Sequence, residues 1–269
     1  MKKIVLMTVL ILAQLHGYSD SDWDGVEDAF DLCPQTPLSE LVDLNGCTIT
    51  KMENILHYSI LSGIGYSKIN YATQEKADTI NLSVEANLYL DRWQLQGSVS
   101  HYHSSTGNAN ESGMDDSTLN LLYRYPLSEQ LSVTPGIGVI FPTYKTGYGN
   151  EAADYTLFAS MEYQFSSALY GFAGYVYTWV NDEDTPIATY QNNTALYTGL
   201  VYEFKAGQEW NVHYNANDTI YRENDIARTI GVGFFTQITP HWFVDGTYDY
   251  GLSDSAGDHS WNLRLGYYF

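Results

Sequence analysis

From about Asn54 to its last residue the chain alternates apolar and polar positions in short runs separated by turn-forming residues, the period of two that belongs to strands with unlike faces. In "TINLSVEANLYL", Ile80, Leu82, Val84, Ala86, Leu88 and Leu90 share one face, with Asn81, Ser83, Glu85 and Asn87 opposite. "HSWNLRLGYYF" repeats the pattern at the C-terminus, with Trp261, Leu263, Leu265, Tyr267 and Phe269 against Asn262 and Arg264. The alternation predicts about twelve strands, near 55–67, 77–90, 92–104, 115–125, 130–144, 153–165, 168–180, 191–204, 208–221, 226–238, 241–252 and 259–269.

The connections alternate too. Short ones fall at Asp91, Pro126, Ser166, Lys205 and Thr239, and long polar ones surround Gln74, Asn108, Tyr148, Glu183, Asn224 and Ala256. A soluble sandwich needs no such alternation, whereas a transmembrane barrel has short turns at its periplasmic end and longer loops outside. Aromatic residues gather near strand ends, at Tyr163, Tyr202, Trp242 and Tyr267, where a bilayer interface favours rings with an apolar body and a polar edge. The last eleven residues, ending on Phe269, resemble the terminal strand that the bacterial barrel assembly machinery recognises, and that machinery is the implied partner. The fold expected is therefore all-β: an antiparallel transmembrane β-barrel of about twelve strands over 51–269, in contact with outer-membrane lipid. An even strand count puts both barrel ends on the periplasmic side.

Upstream of the barrel, Met1, Lys2 and Lys3 precede the apolar run "IVLMTVLILA", which is too short to span a bilayer. This reads as a signal peptide over 1–17, cut near Gly17 or, as an alternative, near Ala13. Export places Cys33 and Cys47, the only cysteines, in an oxidising compartment, where they are expected to pair. A net charge of −20, from 12 basic and 32 acidic residues, makes nucleic acid an improbable partner.

Part of that charge is concentrated in "DSDWDGVEDAFDLCP". Counted from Asp20, the residues Asp20, Asp22 and Asp24 stand at loop positions one, three and five, Gly25 at six, Asp28 at nine and Asp31 at twelve. Those are the oxygen positions of a Ca²⁺ loop, and the carbonyl of Val26 adds one at position seven. The twelfth residue is Asp rather than Glu, and no helix pattern follows. The stretch resembles a thrombospondin type 3 repeat, matching D-x-D-x-D-G-x-x-D-x-x-D-x-C-P from Asp20 to Pro34. The resemblance implies bound Ca²⁺ and a disulfide from Cys33, for which "VDLNGC" supplies Cys47. A module over 18–50 on the periplasmic side is the expectation.

Strand parity sends Glu85, Arg124, Glu162, Glu203, Asp245, Asp249 and Arg264 into the lumen, which is then wet and net acidic. Such an interior suits either a narrow channel preferring cations or small polar solutes, or a closed barrel with a polar core. A third function class comes from "SVSHYHSSTGN". His103 and Ser105 share the face of Trp93, Leu95 and Val99, and "HSSTG" resembles the H-x-S motif of outer-membrane phospholipase A and the lipid A deacylases. In that reading His103 takes the proton of Ser105 while Asp115 orients the ring. Asn120, which resembles the phospholipase asparagine, has lumen parity instead.

Overall fold

The structure is a computed structural model that describes Val26, 31–33, 35–36, Val42, 46–48, 56–69, 77–107, 109–144, 151–186, 189–222 and 225–269. The chain divides into two units, Met1–Asn54 and Ile55–Phe269. The second is a closed antiparallel barrel of 12 strands. They are β1 Leu56–Ile69, β2 Ala77–Leu90, β3 Trp93–Thr106, β4 Ala109–Met114 continued by Ser117–Tyr123 and Tyr125–Pro126, β5 Leu131–Phe141, β6 Asp154–Ser166, β7 Leu169–Trp179, β8 Asn193–Lys205, β9 Gln208–Asn217, β10 Ala227–Gln237, β11 Trp242–Gly251 and β12 His259–Tyr268. Each strand pairs with its neighbours in sequence. The ring closes through β1 and β12, in register from Ser59 opposite Tyr268 to Lys68 opposite His259. Closure leaves no open edge, the condition under which strands can stand in a bilayer.

The apolar faces point outward. On β2, Ile80, Leu82, Val84, Leu88 and Leu90 are exposed while Asn81, Ser83, Glu85 and Asn87 are turned in, and Leu82 at 58 % and Ile137 at 60 % exposure stand for the whole outer wall. A soluble protein would bury such a belt, so its solvent is lipid. Ring contacts cluster on this wall near the strand ends, as in Trp93 with Tyr123, Trp242 with Tyr267, and Tyr58 with Phe269, the last pair with centroids 4.7 Å apart.

The short turns share one end with the start of β1 and the end of β12. Asp91, φ 51°, and Gly207, φ 69°, supply the left-handed backbone that two of these tight turns require. One expected long loop is something else: β3 continues to Thr106, which pairs with Ala109, so the chain turns back directly after Gly107. Gly107, φ 54°, makes that turn possible. The fourth strand consequently begins at Ala109 rather than near 115, and it breaks at Asp115 and Asp116.

In the N-terminal unit Cys33 and Cys47 form a disulfide with Cα atoms 4.9 Å apart. The Thr36 hydroxyl lies 2.7 Å from the Gly46 carbonyl and 3.0 Å from that of Cys33, and Val42 and Thr48 form an antiparallel bridge. Asp31 Oδ1 accepts from the Cys33 N–H at 2.7 Å. Residues Asp20, Asp22, Asp24 and Asp28, and the expected signal peptide over 1–17, lie outside the described residues.

Candidate functional site: the barrel lumen

Alternation along each strand sends its polar set inward, and two arginines and a histidine, each held to carboxylate, organise what arrives there. Arg264 on β12 donates from Nε to Asp245 on β11 at 2.8 Å and from Nη1 to Glu85 on β2 at 3.3 Å. The guanidinium thus spans three strand interfaces, a reach its fork of donors permits. Arg124, at the short-turn end, meets Glu162 on β6 at 3.0 Å. His213 on β9 contacts Asp249 on β11 through Nε2 at 2.8 Å, while its Nδ1 meets Asn211 Oδ1 at 2.8 Å.

Two carboxylates have no such cation. Glu203 on β8 and Glu209 on β9 are direct register partners, and among the described residues neither has a basic partner. Like charges directly opposite repel. They are held instead by neutral donors: the Tyr170 hydroxyl donates to Glu209 at 3.0 Å and the Gly207 N–H to Glu203 at 2.9 Å. Beside them a cavity of about 730 Å³ opens at the short-turn mouth, bordered by Arg124, Glu129, Glu162, Gln164 and Tyr170. A second one, of about 280 Å³, is set into the wall among Ser67, Asn81, Thr247, Asp249 and Asn262.

At the opposite end, aspartates tie the longer loops together. Asp182 accepts from the N–H groups of Glu151 and Ala152, both at 3.2 Å, and Asp154 accepts from the Asn181 N–H at 2.8 Å. Asp184 accepts from the Tyr190 N–H at 2.8 Å and faces Arg222 at 3.7 Å, beside the bridge between Tyr190 and Tyr221. Burial there, with the Asp182 charge second, pushes the Tyr190 hydroxyl above its ordinary range.

The lumen residues named from parity fall into these groups: Glu85, Asp245 and Arg264 meet, Arg124 meets Glu162, and Asp249 meets His213. Glu203 stands with Glu209. His213, Glu209 and Tyr170 were not singled out in sequence, although "EWNVHYNAN" carries Glu209 and His213 at lumen parity opposite Trp210 and Val212. The His-x-Ser group does not assemble. His103 is exposed on the outer wall, and its strand neighbour there is Ser112. Asp115 is not the orienting residue: its Oδ2 accepts from Ser100 at 2.7 Å, on the face of β3 opposite His103. The break at Asp115 turns this carboxylate inward, out of step with the alternation used to place it.

No family model matches the sequence, and no curated protein matches it. Solved structures do. An outer-membrane channel from Pseudomonas putida F1 superposes with a TM-score of 0.66 at 13 % identity, over 80 % of this chain and 95 % of that one. The NanC porin gives 0.50 at 15 % identity, over 77 % and 98 %. The translocator domain of the autotransporter NalP from Neisseria meningitidis gives 0.50 at 11 %, over 80 % and 90 %. Channels and a translocator share this architecture, so the likeness is one of fold: the chain is built as a bacterial outer-membrane β-barrel.

Proposed function

We propose that the barrel is a porin-like channel for cations and small polar solutes. The observation that carries this is the charge balance of the lumen. Arg264, Arg124 and His213 are each committed to a carboxylate, and Glu203 and Glu209 stand opposite one another without a basic partner among the described residues. Uncompensated carboxylates inside low-dielectric walls raise the local concentration of cations and repel anions. That two structural neighbours are described as a channel and a porin supports the same reading. The test is the reversal potential of the refolded protein in a planar bilayer under a KCl gradient. Current carried mainly by K⁺ is expected; anion preference, or no current, sinks the proposal.

The N-terminal unit is proposed to hold Ca²⁺ on the periplasmic side through Asp20, Asp22, Asp24, the Val26 carbonyl, Asp28 and Asp31. Two observations support it. Asp31 Oδ2 is buried and has no hydrogen-bond partner among the described residues, which is costly for a carboxylate oxygen unless something cationic meets it. The disulfide follows the acidic stretch directly, with Asp31 bonded to the Cys33 N–H. When bound, Ca²⁺ would supply the positive charge that lets the carboxylates crowd together. The final strand, with Phe269, is proposed as the segment read by the assembly machinery.

A further inference from the structure

Interior glycines of this barrel stand in register with large side chains, and each pairing has the same geometry. Gly174 on β7 is the partner of Tyr197 on β8, Gly266 on β12 of Phe243 on β11, and Gly65 on β1 of Asn81 on β2. A Cβ on Gly174 would lie 2.6 Å from Tyr197 Cε2 and closer still to Cζ; one on Gly266 would lie 2.5 Å from Phe243 Cε1. The three atoms nearest to such a Cβ belong in each case to that one aromatic side chain, with no backbone among them. Each ring therefore occupies the space a side chain would take, lying along the wall instead of projecting toward the axis.

We infer that Gly174 and Gly266 set the bore of the lumen by holding the rings of Tyr197 and Phe243 flat against the wall. Inward side chains fill a barrel of about eight strands, and in a wider one how far they project decides what passage is left. Tyr197 lies on β8, is half-buried and has the Phe172 ring 6.3 Å away on β7, so a Cβ at 174 would push its ring off the wall and toward the passage. Phe243 is more tightly kept, 4 % exposed and stacked on Tyr268 with centroids 4.5 Å apart. The inference rests on the channel reading and identifies the residues that set how wide the passage is.

Single-channel conductance of the refolded protein tests it, with heat-modifiable migration on gels reporting folding. Gly174→Ala is expected to lose about twofold in conductance, because a ring enters the narrowest dimension available to the solute. Adding Tyr197→Ala to Gly174→Ala should restore the wild-type value. Tyr197→Ala alone, which adds no volume to the wall, should conduct like wild type, and this variant decides the matter even if Gly174→Ala fails to fold. Gly97→Ala, whose Cβ meets nothing nearer than 3.7 Å, is the control for a methyl in ordinary contact. Wild-type conductance in folded Gly174→Ala, a loss that Tyr197→Ala does not restore, or a large gain in Tyr197→Ala alone would overturn the inference while leaving the channel in place. A silent wild type overturns both.

Discussion

Arg264 reaches Glu85 by lying across Gly63. Gly63 is the register partner of Arg264 on one side and of Ser83 on the other, and a Cβ on it would sit 2.7 Å from Arg264 Cγ. The glycine is what allows one guanidinium to serve carboxylates on both sides of β1. Gly63→Val should displace the arginine stem, separate Arg264 from Glu85 and cost about 1–3 kcal/mol, the usual range for overpacking. Urea unfolding of the refolded barrel measures it; an unchanged midpoint would mean the stem has another path.

Glu203 and Glu209 make a two-sided prediction. Replacing either by Gln removes a direct like-charge repulsion and should stabilise the pair by about 0.2–1 kcal/mol. The same substitution should move the reversal potential toward zero, because it removes charge from the lumen. Glu162→Gln, which strips Arg124 of its partner, should lower cation preference without the gain in stability. An equal change of stability in all three variants would show that the opposition of Glu203 and Glu209 costs the barrel nothing.

At the long-loop end, Asp182→Ala leaves the N–H groups of Glu151 and Ala152 without their acceptor, two hydrogen bonds of roughly 0.5–1.5 kcal/mol each. The loop over 180–192 should then open more often and be cut faster by protease added to intact cells. Rates matching wild type would assign the loop's order to its other ties, Asp154 with Asn181, Asp184 with Tyr190 and Arg222, and the bridge between Tyr190 and Tyr221.

Deleting Phe269 removes its ring from Tyr58 and its N–H from the Tyr58 carbonyl, 3.0 Å away, at the seam where β12 closes on β1. Lower insertion into the outer membrane is expected, read by the heat-modifiable fraction in membranes. Restoration by Phe269→Tyr, which keeps the ring, should follow; failure of Tyr to restore it would point away from stacking.

For the N-terminal unit, calorimetric titration of the full chain with Ca²⁺ should show a site in the range of about 10⁻⁴ to 10⁻³ M, as in extracellular modules. Asp31→Asn and Asp24→Asn should each weaken it severalfold, while reduction of the disulfide weakens it by letting the apo loop spread. Saturation indistinguishable between wild type and both variants would return the stretch to a solvated acidic segment.

Fold class was legible in the sequence because a strand's side-chain period is two whatever surrounds it. Ile80 to Leu90 and Trp261 to Phe269 declared their faces without any knowledge of neighbours, and the alternation of short and long connections declared which solvent the apolar face meets. The same parity carried Glu85, Glu203, Asp245 and Arg264 to the interior side. It failed where the chain leaves the period: at Gly107, where the chain turns back directly in place of a long loop, and at Asp115, where a strand break turns the carboxylate onto Ser100. Parity assigns a face, yet partners depend on register, which joins residues as distant as Gly63 and Arg264. Only closure of the ring determined that Arg264 stands between Asp245 and Glu85, and only the register of neighbouring strands that Glu209 faces Glu203 and Tyr197 lies on Gly174, because each of these contacts is made between strands and none along one.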